Sequence, residues 1–322
     1  FKMQKGKAAP VRVRSLDKTY NGINLSVLLA EPGTKFSTSV VEPPAVFKKI
    51  TDALALIRAK SPANAKIIDT LKKAGQITIS YDPMVPDKKL DMATFRVAHF
   101  LPIYHPYLRS GRFSDRGDAG DTKLFPVVVS RHGIKWPTAE LAAVLVHELI
   151  GHGQQYLEGR IEALPRREIE CEARLHQEGA HQEFGLDKED EKMIAFRKAL
   201  LGTSTGDGEC SGFKRYLAKH QPDQMKHLEK RNPDVPILLP LFRKYIKFLE
   251  NDGVIQRTMA AKVKFREEKS QKIFKQGKPE EIYWRGLAIR DGVGMPPDGP
   301  KRSNSFEGRL KREAPRRKSK WA

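Results

Sequence analysis

The spacing of hydrophobic and polar positions changes along the chain and predicts a mixed first part followed by a helical second part. Alternating or continuous apolar runs predict strands over 23–31, 76–82 and 124–130. Helical spacing predicts two helices between the first two strands, over 45–60 and 64–75, and more helices from Pro137 to about residue 276. We therefore predict the α+β class, with a small mixed sheet followed by a mostly helical C-terminal half.

Proline gives one further expectation about the sheet. Pro126 lies within the predicted strand 124–130. Because proline has no N–H to donate to a neighbouring strand, it is favoured at sheet edges. We therefore expect this strand to be an edge strand.

The net charge of +20 is concentrated at the ends of the chain. Residues 1–20 carry +5, residues 253–278 carry +6, and residues 301–322 carry +7, whereas residues 140–190 carry −7. Basic segments attract nucleic acid, acidic proteins and anionic membrane surfaces. The termini therefore indicate a possible anionic partner.

Composition also suggests the domain limits. We interpret residues 1–20 as a basic arm, residues 21–290 as the folded domain, and residues 291–322, rich in Gly, Pro, Lys and Arg, as a basic disordered tail. The sequence contains no run of about 18 apolar residues, so it predicts no transmembrane helix. Two cysteines, Cys171 and Cys210, form no recognisable disulfide framework. We expect a soluble protein and favour the cytoplasm over secretion, although the sequence leaves the compartment open.

The segment 137–157 contains the chemistry that the sequence makes most prominent. Between Leu141 and His152 its only polar side chains are His147, Glu148 and His152. A helix that is apolar nearly all round is buried, and buried polar groups require partners. A metal ion would satisfy all three side chains together.

The spacing of the two histidines is unusual for a helical metal site. His147 and His152 lie five residues apart, which in a regular α-helix rotates their side chains by about 140°. A π-bulge makes five residues span roughly one turn, and such bulges are frequent at functional sites. The spacing therefore predicts a local irregularity, which Gly151 could accommodate.

A third metal ligand is expected on the following helix, predicted over 166–184. Three glutamates occupy alternate positions there: Glu168, Glu170 and Glu172. A short loop can fold this helix back against 137–157, with Glu170 and Glu172 on opposite sides of its apolar face. Nearby arginines can neutralise the carboxylates that bind no metal: Arg166, Arg167 and Arg174.

Over about residues 140–180 the chain resembles known zinc peptidases. HELIGH is similar to the expanded H-E-x-x-G-H motif of the dipeptidyl peptidase III family and, more broadly, to gluzincins, whose third ligand is a glutamate on a later helix. The resemblance implies a zincin-like fold with Zn²⁺ bound by His147 and His152 and with Glu148 as general base. IECEAR resembles the acidic second motif of the dipeptidyl peptidase III family, and this match would make Glu170 the ligand. The spacing usual in thermolysin-like gluzincins and the Glu-Ala pair instead favour Glu172.

Other polar residues complete the predicted site. His176 follows Glu172 by four residues and could hydrogen-bond to its carboxylate behind the metal. A further donor should stabilise the oxyanion, and the candidates are several arginines together with Tyr156, His176, His181 and Tyr216.

Two functions remain open from the sequence. The first is a zinc-dependent peptidase acting on a peptide or protein substrate, in which a metal-activated water attacks the peptide carbonyl and Glu148 takes its proton. The alternative is a basic protein that binds nucleic acid or another partner and has a structural or vestigial metal site.

Overall fold

A computed structural model of the chain describes residues 15–30, 33–36, 39–85, 97–100, 123–203, 206–257, 260–261 and 264. The chain divides into two compact units, Phe1–Ile161 with Pro165–Phe248, and Glu162–Leu164 with Leu249–Ala322. In the described part of the second unit, Arg257 forms an ion pair with Asp252 at 3.6 Å. The predicted tail 291–322 lies outside the described residues, as do residues 1–14 of the predicted arm. No described helix is both long and apolar enough to cross a bilayer.

The α+β class is confirmed, with a small mixed sheet first and mostly helices afterwards. The strands are β1 Ser15–Tyr20, β2 Ile23–Leu28, β3 Gly75–Asp82, β4 Ala98–Phe100, β5 Lys123–Ser130, β6 Gly202–Thr203 and β7 Gly206–Asp207. The α-helices are α1 Pro43–Lys60, α2 Pro62–Ala74, α3 Thr138–Leu145, α4 Gly153–Leu157, α5 Arg160–Ala163, α6 Arg166–Phe184, α7 Glu191–Leu201, α8 Ser211–His220, α9 Pro222–Glu229 and α10 Val235–Asn251. A 3₁₀ turn covers Gly133–Lys135, and a π-helix covers Val146–His152 between α3 and α4.

The main sheet has five strands in the order β1-β2-β3-β5-β4. The central pairs β2–β3 and β3–β5 are parallel, whereas β1 and β4 are antiparallel to their neighbours. Strands β1 and β2 are joined at Asn21 and Gly22, whose φ values of 48° and 75° suit a tight hairpin. Residues Ser15–Tyr20, the last part of the predicted arm over 1–20, therefore belong to the sheet through their pairing with β2.

The expectation that Pro126 marks an edge strand is also wrong. Strand β5 lies between β3 and β4, and Pro126 pairs with Thr78 of β3. Strand β4 pairs only with Val127–Val129 over the residues that the structure describes. Pro126 therefore lies in a strand that has neighbours on both sides, next to Val127, which pairs with Phe100 of β4.

The hydrophobic core lies between the sheet, the helices α1 and α2 that connect β2 to β3, and the helices that follow β5. Helix α1 buries residues at helical spacing, which are Val46, Phe47, Ile50, Ala53, Leu54 and Ile57. Strands β3 and β5 contribute the buried residues Ile77, Ile79, Phe125 and Val127. Helix α3 and the π-helix are apolar nearly all round and belong to the same core. The segment bearing the HELIGH motif is therefore anchored inside the protein rather than on its surface.

Candidate metal centre

The irregularity that the histidine spacing requires is present in the structure. The helical segment 138–157 changes from α3 to a π-helix over Val146–His152 and returns to α-helix in α4. In the π-helix about five residues complete one turn, so His147 and His152 project from the same side. Their rings lie edge to face, with centroids 4.8 Å apart.

Gly151 has a different role from the one expected. Its φ does not lie in the positive range that favours glycine. A Cβ at Gly151 would lie 2.7 Å from both Cα and Cβ of Ala173. Glycine is therefore needed because the π-helix passes close to the backbone of α6, and this close approach brings α6 carboxylates near the two imidazoles.

The residues His147, Glu148 and His152 form a group that could hold a metal ion. Their ligand atoms all lie within 4.8 Å of one another. Nε2 of His147 is 4.0 Å from Oε1 of Glu148, and both imidazoles are buried. The identity of an ion is not fixed by these three residues alone.

Glu170 brings a second carboxylate to the imidazoles. Its Oε2 lies 3.5 Å from Nε2 of His147 and 3.8 Å from Nε2 of His152, closer than Glu148 lies to His147. Burial alone would raise the pKa of Glu170, but a hydrogen bond with His147, the proximity of His152 and the charge of Arg166 lower it to about 2. Glu170 is therefore an anion at neutral pH, pointing at both histidines.

Glu172 lies in a different environment on α6. Arg160 binds both of its oxygens, with 3.0 Å between Nη2 and Oε1 and a closer contact between Nη1 and Oε2. Gln155 donates from Nε2 to Oε2 at 2.8 Å. The carboxylate of Glu172 is thus occupied by protein donors and does not face the histidines as Glu170 does.

Gln155 connects Glu172 to the second histidine. Its Nε2 donates to the Glu172 carboxylate and to the carbonyl of Ile169 at 2.9 Å, so its Oε1 must be the atom 2.9 Å from Nδ1 of His152. An amide oxygen only accepts, so Nδ1 of His152 must carry a proton. In the neutral ring the lone pair is then on Nε2, the atom that faces Glu170.

This network determines what His152 can bind. Burial and the neighbouring His147 lower the pKa of His152, whereas Glu148, Glu170 and Gln155 raise it, and the net direction is downward. A neutral His152 presents a lone pair to the carboxylate of Glu170 at 3.8 Å. Two acceptors facing each other repel unless a cation lies between them.

Glu148 is oriented by the sheet. Its Oε2 accepts a hydrogen bond of 2.7 Å from the backbone N–H of Phe100 in β4, the edge strand beside β5. This bond leaves Oε1 on the side of His147. Glu148 therefore has one oxygen fixed by backbone and the other beside the metal group.

His176 lies deeper than the predicted contact with Glu172 would require. It is buried, and its Nδ1 lies 3.4 Å from Oδ1 of Asn64. Burial lowers the pKa of His176 to about 4; the positive charges of Arg243 and Arg160 act in the same direction, against the effect of Glu172. His176 is therefore a neutral core residue at neutral pH, and the negative charge of Glu172 only partly offsets the lowering of its pKa.

A cleft of about 780 Å³ opens onto His147, Glu148 and Glu170. Helix α6 contributes Arg166, Arg167, Glu170, Arg174, Gln177 and His181 along one side. Helices α3 and α7 contribute apolar residues on the other sides, including Val144 and Phe196, and Trp136 adds an aromatic ring. Among the proposed oxyanion stabilisers, His181 and the arginines line this cleft, whereas Tyr156 packs against Phe125 and Tyr216 packs against Phe248.

The two cysteines are bonded to each other, which the sequence did not predict. Cys171 and Cys210 form a disulfide that joins α6, between Glu170 and Glu172, to the residue before α8. Arg167 donates to Oγ of Ser211 at 3.0 Å, and Arg174 forms an ion pair with Glu209 at 2.8 Å. Residues 167, 171 and 174, on successive turns of α6, thus bind the consecutive residues 211, 210 and 209.

Three residues of the site were missed by the sequence reasoning. The signal for Gln155 was its position three residues after His152, which places both on one face of a helix. Arg160, the only basic residue between His152 and Arg166, could have indicated a partner for an α6 glutamate. For Phe100 no signal exists, because its contribution is a backbone N–H.

Comparisons with known protein families, with curated proteins and with solved structures find no significant match to this chain. The interpretation of the site therefore depends on its own geometry.

Proposed function

We propose that the protein is a zinc-dependent peptidase whose metal is bound by His147, His152 and Glu170. The observation that carries the proposal is the facing pair of acceptors, the lone pair of His152 and the anionic Glu170, at 3.8 Å. Nε2 of His147 is a third candidate ligand atom and lies 3.5 Å from the same carboxylate oxygen. A cation bound between these three groups would satisfy all of them together.

The distances suit zinc. A tetrahedral Zn²⁺ with bonds of about 2.1 Å places its ligand atoms about 3.4 Å apart. The two histidine–Glu170 distances, 3.5 and 3.8 Å, are within a few tenths of an ångström of that value. Two imidazoles and one carboxylate are also a usual catalytic zinc set, with the fourth position left for water.

The choice of glutamate follows from the ion pairs. The sequence favoured Glu172 and kept Glu170 as the alternative. Glu172 is held by Arg160 and Gln155, and moving it to a metal would break both contacts and leave Arg160 paired with the more exposed Glu158. Glu170 requires no such rearrangement, since its strongest neighbours are the two histidines. We therefore assign Glu170 to the metal and Glu172 to the support of His152.

In this proposal Glu148 acts as the general base. When bound, Zn²⁺ would supply a Lewis acid and lower the pKa of a coordinated water. Glu148 Oε1 would accept the proton that leaves the attacking water, while the Phe100 N–H holds the carboxylate in position. The same oxygen would return the proton to the amide nitrogen that leaves, so that hydrolysis adds one water across the bond and leaves Glu148 unchanged.

The disulfide supports a particular compartment for this function. Disulfides persist in oxidising environments and are rare in the cytosol. The bond between Cys171 and Cys210 therefore favours an oxidising compartment, in contrast to the cytoplasm that the sequence favoured.

The decisive experiment separates metal binding from catalysis. The wild-type chain, a Glu148→Gln variant and a Glu229→Gln variant are loaded with zinc and tested on a mixed peptide library. We expect cleavage by the wild type to cease with chelator. Glu148→Gln should keep zinc but lose at least about a hundredfold in rate. Glu229, an exposed residue of α9, serves as the matched control. Zinc binding without any cleavage by the wild type would refute the peptidase proposal.

The alternative, a basic binding protein, depends on charged termini that lie mostly outside the described residues. It predicts salt-sensitive binding of nucleic acid that does not respond to chelator. Such binding, together with an absence of peptide hydrolysis, would favour the alternative.

A further inference from the structure

The cleft continues well beyond the metal centre in one direction. Its lining on α6 runs from Arg166 through Glu170 to His181. Because an α-helix rises about 1.5 Å per residue, Glu170 lies about 6 Å along the helix from Arg166 but about 16 Å from His181. The metal centre is therefore near one end of the cleft. We call the part of the cleft between Glu170 and His181 the distal cleft.

Two other helices line the distal cleft over a similar length. On the helical segment that begins with α3, the lining runs from His147 back to Glu140, which is about 10 Å along the helix. Lys192 of α7 binds Glu140 at 2.9 Å. One turn later, Phe196 packs edge to face against His181, with ring centroids 4.6 Å apart. Glu140 and His181 are thus both at the end of the cleft that the N-terminal half of α7 forms.

The charged side chains of the distal cleft are already paired. Nε of Arg174 is 2.8 Å from Oε2 of Glu209, and Nζ of Lys192 is 2.9 Å from Oε2 of Glu140. Over the whole described lining, histidines aside, four cationic residues are matched in number by four anionic ones. The walls therefore give no general electrostatic advantage to a peptide of either charge.

The other surface of the distal cleft suits uncharged side chains. Trp136, Val144 and Phe196 line it with apolar surface. Ala195 and Ala199, one turn apart on α7, also line it, and their small side chains leave room for those of a ligand. Burial of apolar peptide side chains against these residues is favourable.

We propose that the distal cleft binds an extended, uncharged stretch of about three to five substrate residues on one side of the scissile bond. This inference rests on the proposed peptidase function and adds a substrate class to it, oligopeptides with apolar residues on that side. An extended chain advances about 3.3 Å per residue, so about 10–16 Å accommodates three to five residues. The shorter side, about 6 Å toward Arg166, accommodates about two.

The first experiment varies peptide length on the two sides separately. From a neutral peptide that the wild type cleaves, residues are removed one at a time from either end, and the products are quantified by chromatography. Because binding of remote residues contributes to transition-state stabilisation, we expect kcat/KM to fall at least about tenfold as one side is shortened from four residues to one. Shortening the other side should matter only for the last two residues. Equal profiles on the two sides would overturn the proposal.

The second experiment fills the distal cleft. Ala195 is exposed and lines the cleft, so Ala195→Trp narrows the cleft without removing a core contact. The preference for long over short peptides should fall below about threefold, with cleavage of the shortest peptide and zinc affinity unchanged. Ala199→Trp tests the same wall one turn along α7.

The matched control for these variants is Ile194→Trp. Ile194 is exposed on the same helix and lies outside the described lining of the cleft. It should keep the full length preference. If Ala195→Trp and Ala199→Trp are both folded, bind zinc and keep the full preference, the proposal is overturned.

The third experiment tests the requirement for uncharged residues. One Leu on the long side of the peptide is replaced by Lys or by Glu. Both changes should lower kcat/KM by at least about fivefold, because the new charge would face apolar surface and ion pairs that are already formed. The same exchanges six or more residues from the scissile bond serve as controls. A rise in kcat/KM with either charged residue would overturn the substrate class.

The fourth experiment separates this proposal from the peptidase function. Binding of the peptide series to the zinc-loaded Glu148→Gln variant, with and without Ala195→Trp, is measured by calorimetry, where no turnover is required. Tighter binding of long peptides that Ala195→Trp abolishes, without hydrolysis by the wild type, would retain the distal cleft and refute the peptidase. Hydrolysis with no length preference in rate or binding would retain the peptidase and refute the distal cleft.

Discussion

Nδ1 of His152 lies 2.9 Å from Oε1 of Gln155, and this contact fixes which nitrogen of His152 can bind a metal. The amide of Gln155 cannot rotate to offer its NH₂ group instead, because that group already donates to Ile169 and Glu172. The proton of neutral His152 is consequently on Nδ1 and the lone pair on Nε2.

We predict that Gln155→Leu weakens zinc binding by about 10–100-fold, because His152 loses the acceptor that selects its tautomer. Competition with a chromophoric chelator measures the affinity. Gln154→Leu is the matched control, since Gln154 bonds to Glu158 at the surface. Long-range ¹H–¹⁵N spectra of the metal-free protein should show the His152 proton on Nδ1 in the wild type and a mixture of tautomers in Gln155→Leu. An unchanged zinc affinity in Gln155→Leu would show that Gln155 does not support metal binding through the tautomer of His152.

Substitutions of the two neighbouring glutamates should have different effects. Glu170→Gln should abolish zinc binding at micromolar metal, because a ligand is lost. Glu172→Gln should retain binding, weakened by about 10–100-fold, because only the support of His152 is lost. The opposite order of zinc affinities would reassign the metal to Glu172.

The free energy of unfolding provides an independent test of Glu172. The side chains of Arg160 and Glu172 are 15% and 4% exposed, so Glu172→Gln removes the more buried of the two carboxylates paired with Arg160 and leaves the more exposed Glu158. We expect a loss of about 3 kcal/mol in urea unfolding with chelator present. An Arg160→Met, Glu172→Leu double variant should lose less than Glu172→Gln, since no buried charge remains. A loss below about 1 kcal/mol for Glu172→Gln would contradict the importance of the ion pair.

The sequence predicts the elements around the site well, because their signals are local. Helix α6 spans Arg166–Phe184, the residues over which helical spacing predicts a helix. The five-residue spacing of His147 and His152 predicts the π-helix, since regular α-helix would direct the imidazoles apart.

The remaining features of the site depend on tertiary contacts that no local pattern shows. Glu170 and Glu172 lie on opposite sides of α6, and only the position of Arg160 determines which of them is already neutralised. Cys171 and Cys210 are 39 residues apart, so their pairing depends on how α8 packs against α6. The sequence therefore limits the third ligand to two candidates, and packing distinguishes them.

The disulfide should stabilise the ligand helix substantially. Closing a loop of 39 residues lowers the entropy of the unfolded chain and contributes about 4 kcal/mol at 25 °C. The Cys171→Ser, Cys210→Ser double variant should therefore unfold at lower urea concentration. It should also bind zinc more weakly, because Cys171 lies between Glu170 and Glu172. Loss of stability with unchanged zinc affinity would show that the disulfide does not position the ligand. Unchanged stability would contradict its structural role.

His176 should make the metal-free protein sensitive to moderate acid. Burial lowers its pKa from 6.5 to about 4, so the unfolded chain binds a proton that the folded chain rejects between these values. The contribution of neutral His176 to the free energy of unfolding is complete above pH 6.5 and decreases as pH falls toward 4. Between pH 7 and pH 5 the loss should be about 2 kcal/mol. Urea unfolding with chelator at both pH values should show this loss in the wild type and a smaller loss in His176→Gln. Equal pH dependence in the two proteins would show that His176 is not held neutral by the fold.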